Sequence, residues 1–395
     1  MPVLFGLPLW AQTPCLTMEE SMLEAEHDVP YAEGLEEVRA MAEDFEAGRI
    51  DVSREDDFKE VVIPVVVHVL YRLEENNISS EQIHTQIEAL NRDFNAVNAD
   101  RDKIPEVWRN LSTSAKFTFK LADRDPDGNW TTGITRKQTD VKNIGTEERY
   151  YLPASGGVAP WNQAFYMNIW VCELEGNSLG FAILPSSSMS SRDGIVMAPR
   201  AFGTIGTAKA PYNQGRTLVH EVGHYFGLRH LWGDDNESCG ATDYIDDTPK
   251  QRSENYGCAG YPSVSCNNGP HGDMFMNYMD YSNDTCALLF TKRQVEFIQL
   301  IMKRNRRAMF YSTGVTGMKE RTSYRWTVYP NPSEGVIHIE FGEDIPEEVV
   351  VMNTLGGIVA RLSSPRSIER IDLGELPAGV YYLRSHDHHQ TLIIR

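Results

Sequence analysis

Residues 220–230 read HEVGHYFGLRH, with three histidines and one glutamate at offsets 0, 1, 4 and 10. On a helix, His220 and His224 are four apart and share one face, about one turn from each other. Their imidazoles can then hold one metal ion, at about 2.0–2.1 Å if it is zinc, with Glu221 projecting alongside. Gly227 supplies the left-handed or otherwise strained turn that ends the helix, so the chain can fold back and offer His230 as a third ligand. Three protein ligands leave a fourth position for water, the arrangement of a catalytic centre, whereas closed structural zinc sites favour cysteines. A lone HEXXH arises often by chance; the longer spacing with Gly227 and His230 is far more specific.

The stretch HEVGHYFGLRHLWG, with DDTP at 246–249, MFMNYMDYSNDTC at 274–286 and the helix EQIHTQIEALNRDFN at 81–95, resembles the pappalysin family of metzincin proteases, over roughly residues 54–312. The resemblance implies one catalytic zinc held by His220, His224 and His230, with Glu221 as general base and then general acid in peptide hydrolysis. It implies that Met279 forms an apolar floor beneath the metal and that Tyr281 hydrogen-bonds the oxyanion. Asp284, five residues after Met279, matches the family position at the bottom of the S1′ pocket. A buried carboxylate there would select a cation, Arg above Lys because the guanidinium fork makes two charge-assisted bonds. The expected substrates are proteins and peptides cut on the amino side of Arg, and less readily of Lys.

Four of the six cysteines, Cys239, Cys258, Cys266 and Cys286, lie close together, and four cysteines allow three pairings. The resemblance favours Cys239–Cys266 and Cys258–Cys286. Cys172 reads as a small buried hydrophobe. The segment WGDDNESCGATDYIDDTP is dense in oxygen donors that suit calcium. The resemblance implies one or two structural calcium ions there, with Asp243 and Thr248 the best matches and Asp247 a further candidate. Cys15 stands apart, before an acidic stretch; in related zymogens a cysteine of the pro-segment occupies the water position on zinc. Cleavage between Ser53 and Arg54 by an Arg-directed enzyme would release such an inhibitor. Arg321 and Arg325 offer similar sites before the last domain.

Length and composition bound the rest. With 395 residues, 41% hydrophobic and 24% charged, the chain suits a soluble protein of two or three domains. A formal net charge of −19 argues against a nucleic-acid partner, and no run of ~20 apolar residues marks a membrane span. Residues 1–15, opening MPVLFGLPLWA, read as a signal-peptide remnant and the start of a pro-segment, and the acidic, helix-prone residues 16–53 as its body.

Residues 54–315 form the expected catalytic domain. Val61–Leu70 reads as a buried strand, and Ile83, Ile87, Leu90 and Phe94 as the core stripe of a helix capped by Ser79 or Ser80. Strands are expected in FTFKLADRD, MNIWVCEL and DGIVMAP, and a helix in TKRQVEFIQLIMKRNRRAMF. Between 231 and 290 periodicity fades, and so irregular a stretch needs cross-links or ions. The fold class is therefore an α+β metzincin: a mixed α/β N-terminal subdomain with the active-site helix, then an irregular C-terminal subdomain. After a linker at 316–325, residues 326–395 read as a small all-β sandwich. Its WTVYPNPSEGVIHIEF and IDLGELPAGVYYLRS resemble the type A sorting domain of the Bacteroidetes type IX secretion system. That implies an extracellular protein exported through the periplasm, with the secretion machinery as partner.

Two other classes compete with a secreted zinc endopeptidase: a catalytically silent metzincin-like binding protein or adhesin, and a structural zinc site. The intact Glu221 argues against both. A metal-dependent esterase or amidase could share HEXXH, but not the long signature followed by NYMDY.

Overall fold

The computed structural model describes residues 15–50, 60–146, 149–234, 238–315, 326–341, 345, 348–353, 358–363, 365–385 and 388–395. Ser53, Arg54, Arg321 and Arg325 lie outside the described residues. The chain divides between residues 316 and 317 into two compact units.

Two helices open the first unit, α1 (Thr17–His27) and α2 (Val29–Glu46). Asp28 parts them: its carboxylate accepts from the Tyr31 N–H at 3.0 Å, and Pro30 sits in the first turn, where a missing N–H costs little. This acidic segment is not simply a solvated one. Tyr31, Val38, Ala42 and Phe45 recur at helical spacing and are buried, as are Glu20 and Glu24 of α1.

The central strand is β1 (Val61–Tyr71), apolar and buried over nearly its whole length. Parallel to it run β2 (Phe117–Leu121), then β3 (Ile134–Gln138) along its second half, and β4 (Met167–Val171). The far edge is β5 (Gly180–Ala182), antiparallel to β6 (Ile195–Met197), which is itself parallel to β4. A mostly parallel sheet is covered on both faces, which is why its strands read as unbroken apolar runs. The strand in FTFKLADRD stops at Leu121. β3 is polar and β5 only three residues long, so neither shows the alternation by which strands are recognised.

Helix α3 (Ser80–Phe94) buries the stripe expected of it, and its cap is Ser79, whose Oγ accepts from the Gln82 N–H at 3.1 Å. α4 (Glu106–Arg109) is a single turn. α5 (Arg216–Tyr225) packs on α3 and β5. From there to α6 (Lys292–Arg304), no helix or named strand forms among the described residues. Disulfides Cys239–Cys266 and Cys258–Cys286, the pairing the resemblance implies, tie this stretch. Each is worth about 2–4 kcal/mol. Thr291 and Gln294 cap α6 reciprocally, and the helix ends earlier than its sequence suggested, passing into a tight turn at Arg307–Tyr311.

The second unit has β7 (Trp326–Tyr329), β8 (Val336–Phe341), β9 (Glu348–Asn353), β10 (Ile358–Ser363), β11 (Ile368–Asp372), β12 (Gly379–Ser385) and β13 (His388–Ile394). They form two antiparallel sheets, ordered β11-β8-β7 and β10-β9-β12-β13. Alternation sends Trp326, Val328, Ile337 and Ile339 of one sheet against Val349, Val351, Leu383 and Leu392 of the other.

Candidate active site

Helix α5 carries the centre of the site. It buries Leu218, Val219 and Val222 in the core and starts from Gly215, whose φ of +78° no β-branched residue would adopt without strain. It ends where the sequence indicated. Gly227 has φ +86°, and the N–H groups of Gly227 and Leu228 return to the carbonyls of His224 and Gly223 at 2.7 and 3.0 Å. That reversal brings His230 back beside the helix.

All three imidazoles are oriented by their Nδ1 atoms. His220 donates to the Tyr278 carbonyl and His224 to the Leu228 carbonyl, both at 2.7 Å; His230 meets Asp234 Oδ1 at 2.5 Å. A carbonyl can only accept, so the Nδ1 of His220 and of His224 holds the proton and Nε2 presents a lone pair. The three Nε2 atoms face one another at 3.0, 3.1 and 3.3 Å. Burial keeps His220 neutral, with its pKa lowered to about 3, and holds His224 well below its ordinary value. Lone pairs turned together in a buried site repel unless a cation lies between them. The donor set therefore fits zinc, for which nitrogen ligands and this second layer of acceptors are usual.

Glu221 is completely buried and lies next to this cluster. Burial pushes its carboxyl up to about 7, against the hydrogen bonds from Thr17 and Cys15. Thr17 Oγ1 donates to Glu221 Oε2 at 3.0 Å, and Cys15 Sγ lies 3.5 Å from the same oxygen. Cys15 Sγ and one nitrogen of each of His220, His224 and His230 all fall within 4.8 Å of one another. Burial, followed by the Glu221 charge, raises the Cys15 thiol. Cys172 is free and buried among apolar residues, as its sequence context suggested.

Met279 and Tyr281 come from the turn that follows. Met279 lies under α5, its Sδ against Gly223. The Tyr281 ring centroid is 4.9 Å from that of His230 and 5.8 Å from that of His220, and burial keeps its phenol protonated. One cavity joins Cys15, His220, Glu221 and Tyr281 to Asp284, with Tyr212, Thr217, Ala287 and Leu179 in its wall. Asp284 Oδ2 accepts from the backbone N–H groups of Gln214 and Arg216 at 2.6 and 3.3 Å, at the start of α5. Burial pushes its pKa up to about 6. Arg216, although adjacent, directs its guanidinium to Asp100 at 2.7 and 2.8 Å, to Asp93, and to the backbone carbonyl of Asp284 rather than its carboxylate. The Asp284 carboxylate therefore has no ion-pair partner among the described residues.

Asp243 and Thr248 also meet: Thr248 Oγ1 is 2.8 Å from Asp243 Oδ2, and the Ile245 N–H donates to Oδ1 at 3.2 Å. Asp243 is buried with neutral partners, and burial pushes its pKa up to about 8. A buried carboxylate with no counter-charge among the described residues is a fit for a hard cation. Asp247 turns instead to the N-terminus of α6, accepting from Thr291 Oγ1 at 2.6 Å and the Arg293 N–H at 3.0 Å.

Sequence reasoning missed three residues of this site. Asp234 orients His230, Trp232 stacks on His230 at 4.4 Å between centroids, and Thr17 bonds Glu221. The WGDD run that begins two residues after the last histidine was a usable signal for the first two. Thr17 had none, because its partner is 204 positions away.

A buried three-histidine cluster with an adjacent glutamate, on an α/β subdomain followed by an irregular one, defines a metzincin-type metalloendopeptidase. The family model described as pregnancy-associated plasma protein-A matches residues 158–303, and that of the secretion system C-terminal sorting domain matches 327–395. Mature mirolysin of Tannerella forsythia, solved in complex with a cleaved peptide, is 45% identical, with 64% of this chain and 97% of that one covered and a TM-score of 0.63. Promirolysin of the same organism is 39% identical, with 76% and 97% covered and a TM-score of 0.65. An extracellular metalloprotease of Pyricularia oryzae is 31% identical over 221 residues, which are 55% of this chain and 65% of the relative. One of Arthroderma benhamiae is 28% identical over 253 residues, 62% and 74% of the two chains. The chain belongs to the pappalysin family of metalloendopeptidases. It ends in a type IX sorting domain, which marks it as a secreted protein.

Proposed function

We propose that this protein is a zinc endopeptidase that cleaves on the amino side of Arg, and less readily of Lys, and is made as a latent zymogen. The observation that carries this reading is the convergence of three imidazole Nε2 atoms, the Glu221 carboxylate and the Cys15 thiol at one buried point. When held by His220, His224 and His230, zinc supplies Lewis-acid polarisation of the scissile carbonyl and acidifies a water molecule. Glu221 takes the proton of that water and returns it to the leaving amine. The Tyr281 phenol donates to the developing oxyanion. Asp284 pairs with the guanidinium of the residue that follows the scissile bond.

Latency is assigned to the segment ahead of residue 54. Cys15 occupies the position that water needs, and Thr17 engages the general base. The promirolysin match, which takes in more of this chain than the mature one does, supports a removable pro-segment. Cutting between Ser53 and Arg54 fits the same specificity that Asp284 sets. Calcium at Asp243 and Thr248 is part of this reading, as a structural ion in the irregular subdomain, whereas Asp247 caps α6 instead.

The test is incubation of the full chain, beside a Glu221→Ala copy, with a diverse peptide library, sequencing new termini by mass spectrometry. New N-termini beginning with Arg from the unsubstituted chain alone support the reading. Two inert proteins with zinc and calcium supplied would replace it with a binding scaffold.

A further inference from the structure

Arg192 is 2% exposed and is paired with two carboxylates of α1. One guanidinium nitrogen meets Glu20, the other lies 3.4 Å from Glu24, and Ser190 Oγ donates to Glu24 as well. The neighbouring carboxylate, Asp193, is committed elsewhere: both its oxygens accept from Arg306, at 2.7 and 2.9 Å. The same helix covers the free edge of β5 and its continuation. The Ala182 N–H donates to Thr17 Oγ1 at 2.8 Å and the Leu184 N–H to Ser21 Oγ at 3.0 Å, while Tyr31 donates to the Leu184 carbonyl at 3.0 Å. Backbone groups two residues apart on an edge strand are those an extended peptide uses when it adds as a strand. α1 thus sits on a ready peptide track, and that track leads from Glu221 past Arg192. It also leads away from the Asp284 cavity, whose wall includes Leu179 but no later residue of this strand.

We propose that Arg192 is a specificity-determining residue that, once α1 is gone, pairs with an acidic substrate side chain on the N-terminal side of the scissile bond. This rests on the reading of the chain as a protease with a removable pro-segment. Removal of α1 takes Glu20 and Glu24 with it and leaves beside Arg192 the Tyr150 phenol, which burial keeps neutral. Arginine cannot shed its proton, so a carboxylate offered by the substrate recovers charge-assisted hydrogen bonds that a neutral side chain cannot make. Along a helix Glu20 and Glu24 stand about 4.5 and 10.5 Å beyond Thr17. An extended peptide advances about 3.3 Å per residue, which puts the acidic residue roughly two to four positions before the bond.

The full chain, processed by itself or by trypsin that is then inhibited, is given peptides with Arg after the scissile bond. They carry Glu, Gln or Lys at each of the five preceding positions in turn. We expect kcat/KM to favour Glu over Gln about fivefold or more at one position, mainly through KM, and the advantage to shrink in about 0.5 M salt. In Arg192→Gln the Glu-to-Gln ratio falls to about one, and in Arg192→Glu it turns toward Lys. Cleavage with no Glu preference, or a preference that survives Arg192→Gln, overturns the proposal. If the variants do not fold, the unsubstituted series decides: a ratio near one at every position overturns it, and a salt-sensitive preference at a single position supports it. Absence of any hydrolysis with zinc supplied overturns the protease reading itself, and this proposal with it.

Discussion

Met279 Sδ lies 2.5 Å from where a Cβ on Gly223 would stand, so the methionine and the active-site helix fit only while position 223 has no side chain. Alanine is the better helix former by about 0.5–1 kcal/mol. Gly223→Ala should nonetheless lose stability, because overpacking costs about 1–3 kcal/mol, and it should lose activity as Met279 is pushed from beneath the histidines. Thermal unfolding and peptide hydrolysis check this. A variant as stable and as active as the parent would mean that the floor can move freely.

Cys15 and Glu221 are 206 positions apart and share one buried point. In Cys15→Ala the full chain should release its N-terminal segment faster, by about tenfold or more, each tenfold being 1.36 kcal/mol of barrier. A time course of new N-termini measures it. Processing at the parental rate would leave Cys15 no part in latency.

Asp284→Asn should lower kcat/KM for peptides with Arg after the bond by about a hundredfold, since a buried charge partner is worth about 2–5 kcal/mol. Peptides with a neutral residue there should change far less. Burial puts the Asp284 carboxyl at about 6, so it is neutral below that pH and charged above. Discrimination between Arg and norleucine should therefore narrow as pH falls from 7 to 5, and in Asp284→Asn it should be flat. An equal loss on both peptide types would assign Asp284 to structure instead.

The Asp243 carboxyl is raised from 3.8 to about 8 in the folded chain. The folded state then keeps a proton that the unfolded state has released, so the stability it contributes is full below pH ~4 and is lost as pH rises through about 8. Without calcium, the thermal midpoint should fall between pH 5 and 8. Millimolar calcium can take the place of that proton, so it should raise the midpoint most near pH 8. Asp243→Asn should flatten both dependences. A midpoint indifferent to calcium at pH 8 would sink this assignment.

Much of the fold was legible. β1 and α3 announce themselves, one by an unbroken β-branched run and the other by a four-residue apolar stripe behind a serine cap. β5 did not, being three residues that begin with glycine, although it forms the edge along which α1 lies. The burial of Glu20 and Glu24 was equally unreadable, because an acidic helix looks solvated until its arginine partner is known.

The candidate metal ligands, their spacing and the turn that returns the third histidine could all be read from the chain. All of these depend on residues within eleven positions, where helical periodicity and the left-handed freedom of Gly227 fix geometry locally. The family motifs likewise carried Met279, Tyr281 and Asp284 to their candidate roles. What faces that centre from far along the chain came only with folding: Cys15 and Thr17 against Glu221, Glu20 and Glu24 against Arg192, Arg216 drawn toward Asp100. Such contacts join segments that share no periodicity. Whether a charge there is paired, neutral or available depends on what packing removes from water, and local pattern does not encode that.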